Sequence, residues 1–367
     1  MWNERLEEIG FSFHSVGGVY WNESACYEFT PDEIDHIESV TETLHDMCLK
    51  AVDYVIYKNL FRRLGVRESV ESLVRTSWEK KDRSVYGRFD LCYDGKNEPG
   101  LLEYNADTPT SLLETSIAQW VWLQDVFPGY DQFNSIHEKL IDAFTEVKRD
   151  LIFDDTLYFA CLKDHEEDFV TTEYMRDAAL QCGLDARHIF IEDIGYAAET
   201  GKFYDSEERE INSLFKLYPW EWLLGDFERG IDREKIRIIE PAWKIILSNK
   251  GILPILWEMY PDHPNLLACH YDPSKLNTEY IRKPLFSREG ANVSLVDKIK
   301  GVLEFSEGPY GGEGFVYQEA KLPPCFDGNY PIIGSWIVNG QPAGIGIRED
   351  NTPITRNTSR FVPHYFR

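Results

Sequence analysis

Two short runs place oxygen donors beside a guanidinium: Arg88-Phe89-Asp90, and further on Glu103-Tyr104-Asn105-Ala106-Asp107. Each lies in an apolar segment, and Asp94-Gly95-Lys96-Asn97 joins them with the Asp-Gly step of a β-hairpin. Alternate residues of a strand share a face, so Arg88 pairs with Asp90 on one face and Glu103 with Asn105 on one face. If the faces coincide, two carboxylates and an amide oxygen converge. Such hard donors suit Mg²⁺, which keeps some waters and completes its shell with phosphate oxygens. A neighbouring guanidinium would hold a phosphate or a developing oxyanion in the same place. Spacing alone also fits an exposed hairpin with surface charges.

A second set of cations is more dispersed. Lys250 follows Ser248-Asn249, Lys283 precedes Pro284, and Arg348 follows Gly344-Ile345-Gly346-Ile347. A lysine ending an apolar strand that runs into Ser287-Arg288-Glu289-Gly290-Ala291-Asn292 can set its ammonium on nucleotide phosphates while the glycine loop offers backbone N–H groups. Taken singly, each lysine is more often a surface residue than a ligand. Residues 308–314, Gly-Pro-Tyr-Gly-Gly-Glu-Gly, lack the Lys-Ser/Thr of a phosphate loop and read as a flexible hairpin loop or lid. Gln318-Glu319-Ala320-Lys321 ends a strand where backbone groups could hold an adenine edge. The sequence holds no GxSxG, HExxH, Walker A or strand-borne GxGxxG pattern. Of nine histidines, only His165, in Asp164-His165-Glu166-Glu167, stands in a polar cluster.

The elements that must position these groups are legible in part. Thr30-Pro31-Asp32-Glu33 is a capping box with proline in the first turn. Apolar residues at Ile34, Ile37, Val40, Leu44, Cys48, Ala51 and Val55 then predict a long amphipathic helix, with Asp35, Glu38 and Glu42 on its wet side. Residues 156–162 read as a buried strand, 171–182 as a helix ended by Gly183, and 188–194 as a second strand, a βαβ unit of an α/β protein. The last third alternates strands and turns at 281–286, 315–319, 332–338 and 343–348, with an Asn339-Gly340 turn. No internal repeat or low-complexity linker interrupts the chain.

With 63 acidic against 38 basic residues, the formal charge is -25, which leaves too few cations for duplex nucleic acid. The acid excess is either a solvated surface or compatible with a cationic, polyamine-like partner. Seven cysteines without a CxxC pair argue against a disulfide framework or zinc ribbon and fit reduced cytoplasmic thiols. No basic leader and no apolar run near 18 residues appears, so neither export nor a membrane span is expected.

Taken in order, Arg88-Phe89-Asp90, the 103–107 run, Glu240-Pro241 through Ser248-Asn249-Lys250-Gly251-Ile252-Leu253-Pro254, and Lys283-Pro284 resemble the glutathionylspermidine and trypanothione synthetase family over nearly the whole chain. Gln318 and Arg348 follow at compatible distances. The resemblance implies an α+β (α/β) ATP-grasp fold, circularly permuted because the metal-ligand segment precedes the lysines. It divides into an N-terminal helical segment at 1–85, a metal-ligand hairpin and preATP-grasp-like βαβ lobe at 86–235, and nucleotide-binding lobes at 236–367. It implies Asp90, Glu103 and Asn105 as ligands of Mg²⁺, two ions being expected, and Arg88 and Arg348 as the arginines on the transferring phosphoryl group. Lys250 and Lys283 match the ATP lysines, Glu289 and Gly290 the loop over the phosphates, Gln318 and Glu319 the adenine hinge. Thr108 and Thr110 fall where small hydroxyl residues contact the peptide substrate.

The implied activity is ATP-dependent ligation of a peptide carboxylate to an amine through an acyl phosphate, with glutathione and spermidine as the default small-molecule substrates. A nucleotide-binding pseudo-enzyme and a small-molecule phosphotransferase are the alternatives. The bifunctional family members carry an N-terminal amidase for which this sequence has no room, so hydrolysis of the product is not expected. Residues 159–170, with Asp164, Glu166, Glu167 and Asp168, correspond only loosely to the family's amine-recognition region.

Overall fold

The computed structural model describes residues 2–15, 18–151, 156–227, 231–232, 234–277, 279–288, 290–354 and 359–367. Its longest helix, α1 (Pro31–Lys58), starts at the expected capping box: the Thr30 side chain accepts from Glu33 N–H, and the Glu33 carboxylate accepts from Thr30 N–H at 2.8 Å. Every apolar position of the expected stripe is buried, and each buried Ile, Leu or Val among them contributes about 1.5–3 kcal/mol. The helix ends at Asn59, whose left-handed φ of 55° stops the hydrogen-bond ladder. A shorter helix, α2 (Glu68–Glu79), follows.

Strands β1 (Tyr86–Cys92) and β2 (Gly100–Asn105) form the expected hairpin. Helix α3 (Ile136–Asp150) then leads to β3 (Thr156–Cys161), α4 (Glu166–Gln181) and β4 (Asp185–Phe190). β3 and β4 pair in parallel, so the βαβ unit is present. Its helix starts five residues before the expected 171, because Glu166, Glu167 and Asp168 complete a first turn where carboxylates complement the helix dipole. β4 likewise begins and ends earlier than the expected 188–194. β5 (Ser213–Lys216) and β6 (Arg237–Ile239) complete a parallel sheet of order β6-β5-β3-β4, with α5 (Trp220–Asp226) between them.

Helix α6 (Ile252–Met259) precedes an antiparallel sheet. It comprises β7 (Cys269–His270), β8 (Glu279–Pro284), β9 (Ser294–Asp297), β10 (Gly301–Phe305) and β11 (Phe315–Glu319), in the order β7-β11-β8-β9-β10. Finally β12 (Tyr330–Val338), β13 (Gln341–Asp350) and β14 (Arg360–Val362) return to the hairpin, giving a five-stranded sheet β14-β13-β12-β1-β2. Asn339 and Gly340 form the expected turn, both at positive φ. This sheet draws strands from both ends of the chain, and α1 packs across it: Thr41 Oγ1 lies 2.7 Å from Ser335 Oγ of β12. Among the described residues no helix is long and apolar enough to cross a membrane.

Candidate functional site

Antiparallel register brings the charged groups onto one face. Arg88 lies opposite Asn105, and Asp90 opposite Glu103. On the other side of β1, Arg88 faces Trp336 and Asp90 faces Gly334; Gly334 faces Gly346 in turn, and Ile332 faces Arg348. Since directly opposed residues share a face, Arg88, Asp90, Glu103, Asn105 and Arg348 all project from one side of the five-stranded sheet. The hairpin alone would leave that side wet; β12 and β13 make Arg88 and Asp90 buried.

The spacing depends on glycines. A Cβ at Gly334 would come 2.8 Å from Arg88 Cδ, so only glycine lets the arginine lie across β12. At Gly346 a Cβ would collide with Thr115 Oγ1 in the single π-helical turn Glu114–Ala118, which packs over β13 beside the site. Between Asp90 and Leu91 the β1–β2 register slips, leaving Leu102 as an extra residue. The bulge frees its carbonyl, which accepts from Lys283 Nζ at 2.8 Å.

The charges interlock. Arg88 donates to both Asp90 oxygens, from Nε at 2.7 Å and Nη2 at 3.2 Å, and its Nη1 donates to the Thr110 carbonyl. Arg348 Nη2 reaches Asp90 Oδ2 at 2.7 Å. Lys250 Nζ stands 3.0 Å from Glu103 Oε2 and donates to the Ser287 carbonyl at 2.6 Å. Its turn is set by the buried Asn249, which donates to the Leu64 carbonyl and accepts from Gly251 N–H at 2.7 Å. Lys283 Nζ also donates to Gln318 Oε1 at 2.7 Å. Burial pushes the Lys283 ammonium down to about 8, with nearby Lys250 adding to the effect against the pull of Glu103. Burial would raise the Glu103 carboxyl, but Lys250 and Lys283 outweigh it and hold the group well below the usual carboxylate range.

The donor set fits a divalent cation. Among the described residues no three His, Cys, Asp or Glu side chains converge, so a metal here would rest on Asp90, Glu103 and the Asn105 amide, with the remaining positions left to phosphate and water. Asn105 now points its NH₂ at Asp90 and Glu103, at 3.3 Å each. Cations occupy the carboxylates in this arrangement, and an amide flip would turn Asn105 Oδ1 to the same point. The buried Arg348 Nε and Ser287 Oγ have no hydrogen-bond partner among the described residues, leaving donors for an incoming anion.

Of the cavities at this cluster, two are large enough to matter for a substrate. One, about 170 Å³, is lined by Arg88, Glu103, Arg348 and Gly290 together with Thr108, Thr110, His165, Asp168 and Trp222. The second, about 80 Å³, lies between Asp90, Glu103 and Lys283 and the apolar Ile281, Val293, Leu322 and Ile332. Of the acidic run in 164–168, Asp168 lines the first cavity, whereas Glu166 is held by Ser12 Oγ at 2.6 Å. Gln318 is buried behind Lys283, and Glu319 is exposed, its N–H given to the Ala268 carbonyl at 2.7 Å. Lys321, Leu322 and Pro323, just beyond them, line the apolar cavity. Glu289 lies outside the described residues. The 308–314 loop joins β10 to β11 and packs on 291–292, with Tyr310 N–H donating to Asn292 Oδ1 at 2.7 Å.

Sequence reasoning passed over Arg288, Glu221 and Trp222. Arg288 donates to Thr108 Oγ1 at 2.7 Å and to Glu221 Oε1 at 2.6 Å. Its position directly before Glu289-Gly290 and the aromatic density of Trp220-Glu221-Trp222 were the available signals.

The molecule is thus a mixed α/β protein with a carboxylate–guanidinium cluster between an apolar slot and a polar cavity. The chain belongs to the glutathionylspermidine synthase preATP-grasp family, whose model matches residues 1–367. It is 43% identical over 99% of its length to a Haemophilus influenzae protein assigned as an acid–amine ligase, covering 96% of that protein. It is 32% identical to trypanothione synthetase of Crithidia fasciculata over 87% of this chain, but spans only 53% of that longer protein. The fold is similar to a glutathione synthetase-like effector of Globodera pallida, with a TM-score of 0.58 at 11% identity, over 95% of this chain and 90% of the other.

Proposed function

We propose that this ATP-dependent amide-forming ligase joins the carboxylate of a glutathione-like peptide to a polyamine-like amine in the cytoplasm. The observation that carries the reading is the convergence on one sheet face of Arg88, Asp90, Glu103, Asn105 and Arg348, with Lys250 and Lys283 arriving from separate segments. We read the fold as a permuted ATP-grasp arrangement, since the metal-ligand hairpin precedes both lysines, with lobes near 1–85, 86–235 and 236–367.

The apolar slot takes the adenine, with Lys321–Pro323 along its edge. Lys283, Lys250 and the segment at Gly290 take the phosphates. Asp90, Glu103 and Asn105 would hold Mg²⁺, two ions being the number that suits a triphosphate facing a carboxylate. When bound, the metal screens the charge between triphosphate and carboxylate. Releasing Lys250 from Glu103 and Arg348 from Asp90 frees two cations for phosphate oxygens. Thr108 and Thr110 hold the peptide, and its carboxylate oxygen attacks the γ-phosphorus with ADP leaving. Arg88 and Arg348 stabilise the transferring phosphoryl charge. The amine, admitted past His165 and Asp168, attacks the acyl carbon; phosphate leaves and the nitrogen gives up a proton. Catalysis is mostly positioning and charge stabilisation, because two anions must be held in line.

The test is ADP release with Mg-ATP across a matrix of glutathione-like peptides and polyamines, with mass spectrometry of products. Amine-dependent ADP release with the matching amide supports the reading; nucleotide binding without turnover for every pair contradicts it.

A further inference from the structure

Behind the polar cavity lies a charge pair that the proposed chemistry does not use. Lys216 Nζ donates to Asp107 Oδ1 at 2.6 Å, and both side chains are 0% exposed. The ammonium also donates to the Tyr218 carbonyl at 2.9 Å and lies 4.8 Å from the centre of the Trp220 ring. Asp107 Oδ2 accepts from Trp220 N–H at 3.0 Å. Asp107 lies two residues beyond the end of β2, directly before Thr108; Lys216 ends β5, which leads into α5.

These contacts close a ring. From Asp107 the chain runs to Thr108, whose hydroxyl accepts from Arg288; Arg288 donates onward to Glu221, and Glu221 adjoins Trp220, which returns to Asp107. Arg288 also lies 5.8 Å from the centre of the Trp222 ring. Thr108 and Trp222 both line the polar cavity, and their carriers meet at the Asp107–Lys216 pair. A fully buried ion pair adds little net stability over well-packed apolar residues, because desolvation offsets the attraction. Its worth lies in fixing geometry. Burial works to lower the Lys216 ammonium, opposed by Asp107, as expected where each charge depends on the other.

We infer that Asp107 and Lys216 are positioning residues that fix Thr108 relative to Trp222 in the cavity lining, and so the fit of the acyl substrate. The inference rests on the ligase reading for the identity of that substrate. Neither residue touches the nucleotide slot, so the pair governs the peptide and not ATP.

The experiment compares wild type, Asp107→Asn and Asp107→Asn/Lys216→Met, using glutathione and ATP as varied substrates. The KM for glutathione should rise about tenfold or more while that for ATP stays within about twofold. The double variant should regain thermal stability lost by the single without regaining the glutathione KM. Hydrogen–deuterium exchange should quicken together at residues 107–111 and 218–224. If the double variant does not fold, Asp107→Asn, which keeps the volume and an acceptor for Trp220, carries the test. Equal changes in both KM values, or none, overturn the inference. A wild type that makes no amide contradicts the substrate reading alone; exchange then decides the positioning role, faster exchange in both segments upholding it and unchanged exchange overturning it.

Discussion

Asp90 Oδ2 lies 2.7 Å from Arg348 Nη2, though 258 positions separate them in the chain. The contact exists because β12 lies between β1 and β13, so the charged ends of a hairpin and of a C-terminal strand face the same space. Removing the carboxylate leaves Arg88 and Arg348 facing each other with no anion between them. Asp90→Asn should lower kcat at least about 100-fold, about 3 kcal/mol of transition-state stabilisation, and raise the Mg²⁺ concentration needed for half-maximal ADP release. Steady-state assays over a Mg²⁺ series check both.

Gly334 should be a catalytic liability out of proportion to its size. A methyl group there meets Arg88 Cδ at 2.8 Å, and the arginine must shift. Gly334→Ala is expected to cut kcat about tenfold or more while costing about 1–3 kcal/mol of stability from overpacking. Parallel activity and urea-unfolding measurements separate the two effects.

ATP affinity should weaken in alkaline solution. Lys283 is held down to about 8 by burial first and by Lys250 second, so its ammonium is lost as pH rises through that value. The dissociation constant for ATP, followed by calorimetry from pH 7 to pH 9.5, should rise above pH 8. Lys283→Arg, which stays charged, should flatten the rise.

Acid should destabilise the fold through His364. Burial lowers this ring to about 3, below the ordinary value near 6.5, and its Nδ1 lies 2.9 Å from Gln119 Oε1. The unfolded chain therefore binds a proton that the folded chain refuses. The sign follows: the contribution is complete above pH 6.5 and is lost as pH falls toward 3, by about 1.4 kcal/mol per unit. Urea midpoints between pH 7 and pH 5 should fall less in His364→Asn.

How much of this was readable beforehand depends on range. Local signals held: the Thr30 capping box, the Asp94-Gly95 hairpin and the βαβ unit all rest on neighbours in sequence, and the structure has them. Strand alternation put Arg88 with Asp90 and Glu103 with Asn105, while the coincidence of the two faces came from the hairpin register. What spacing could not convey was which face β12 and β13 would bury, since pairing of Asp90 with Gly334 is a non-local choice. Gly344 and Gly346 looked like ordinary members of an apolar strand; close packing by the π turn explains Gly346. Arg288 carried no pattern of its own, because its partners Thr108 and Glu221 come from two distant segments.

The central claim, ligation through an acyl phosphate, is tested most directly with glutathione carrying ¹⁸O in its carboxylates, incubated with Mg-ATP and spermidine. If the carboxylate oxygen attacks the γ-phosphorus, the phosphate released on amide formation carries one ¹⁸O atom. Unlabelled phosphate released in step with ADP would mean that water, not the carboxylate, accepts the phosphoryl group, and the account would be contradicted.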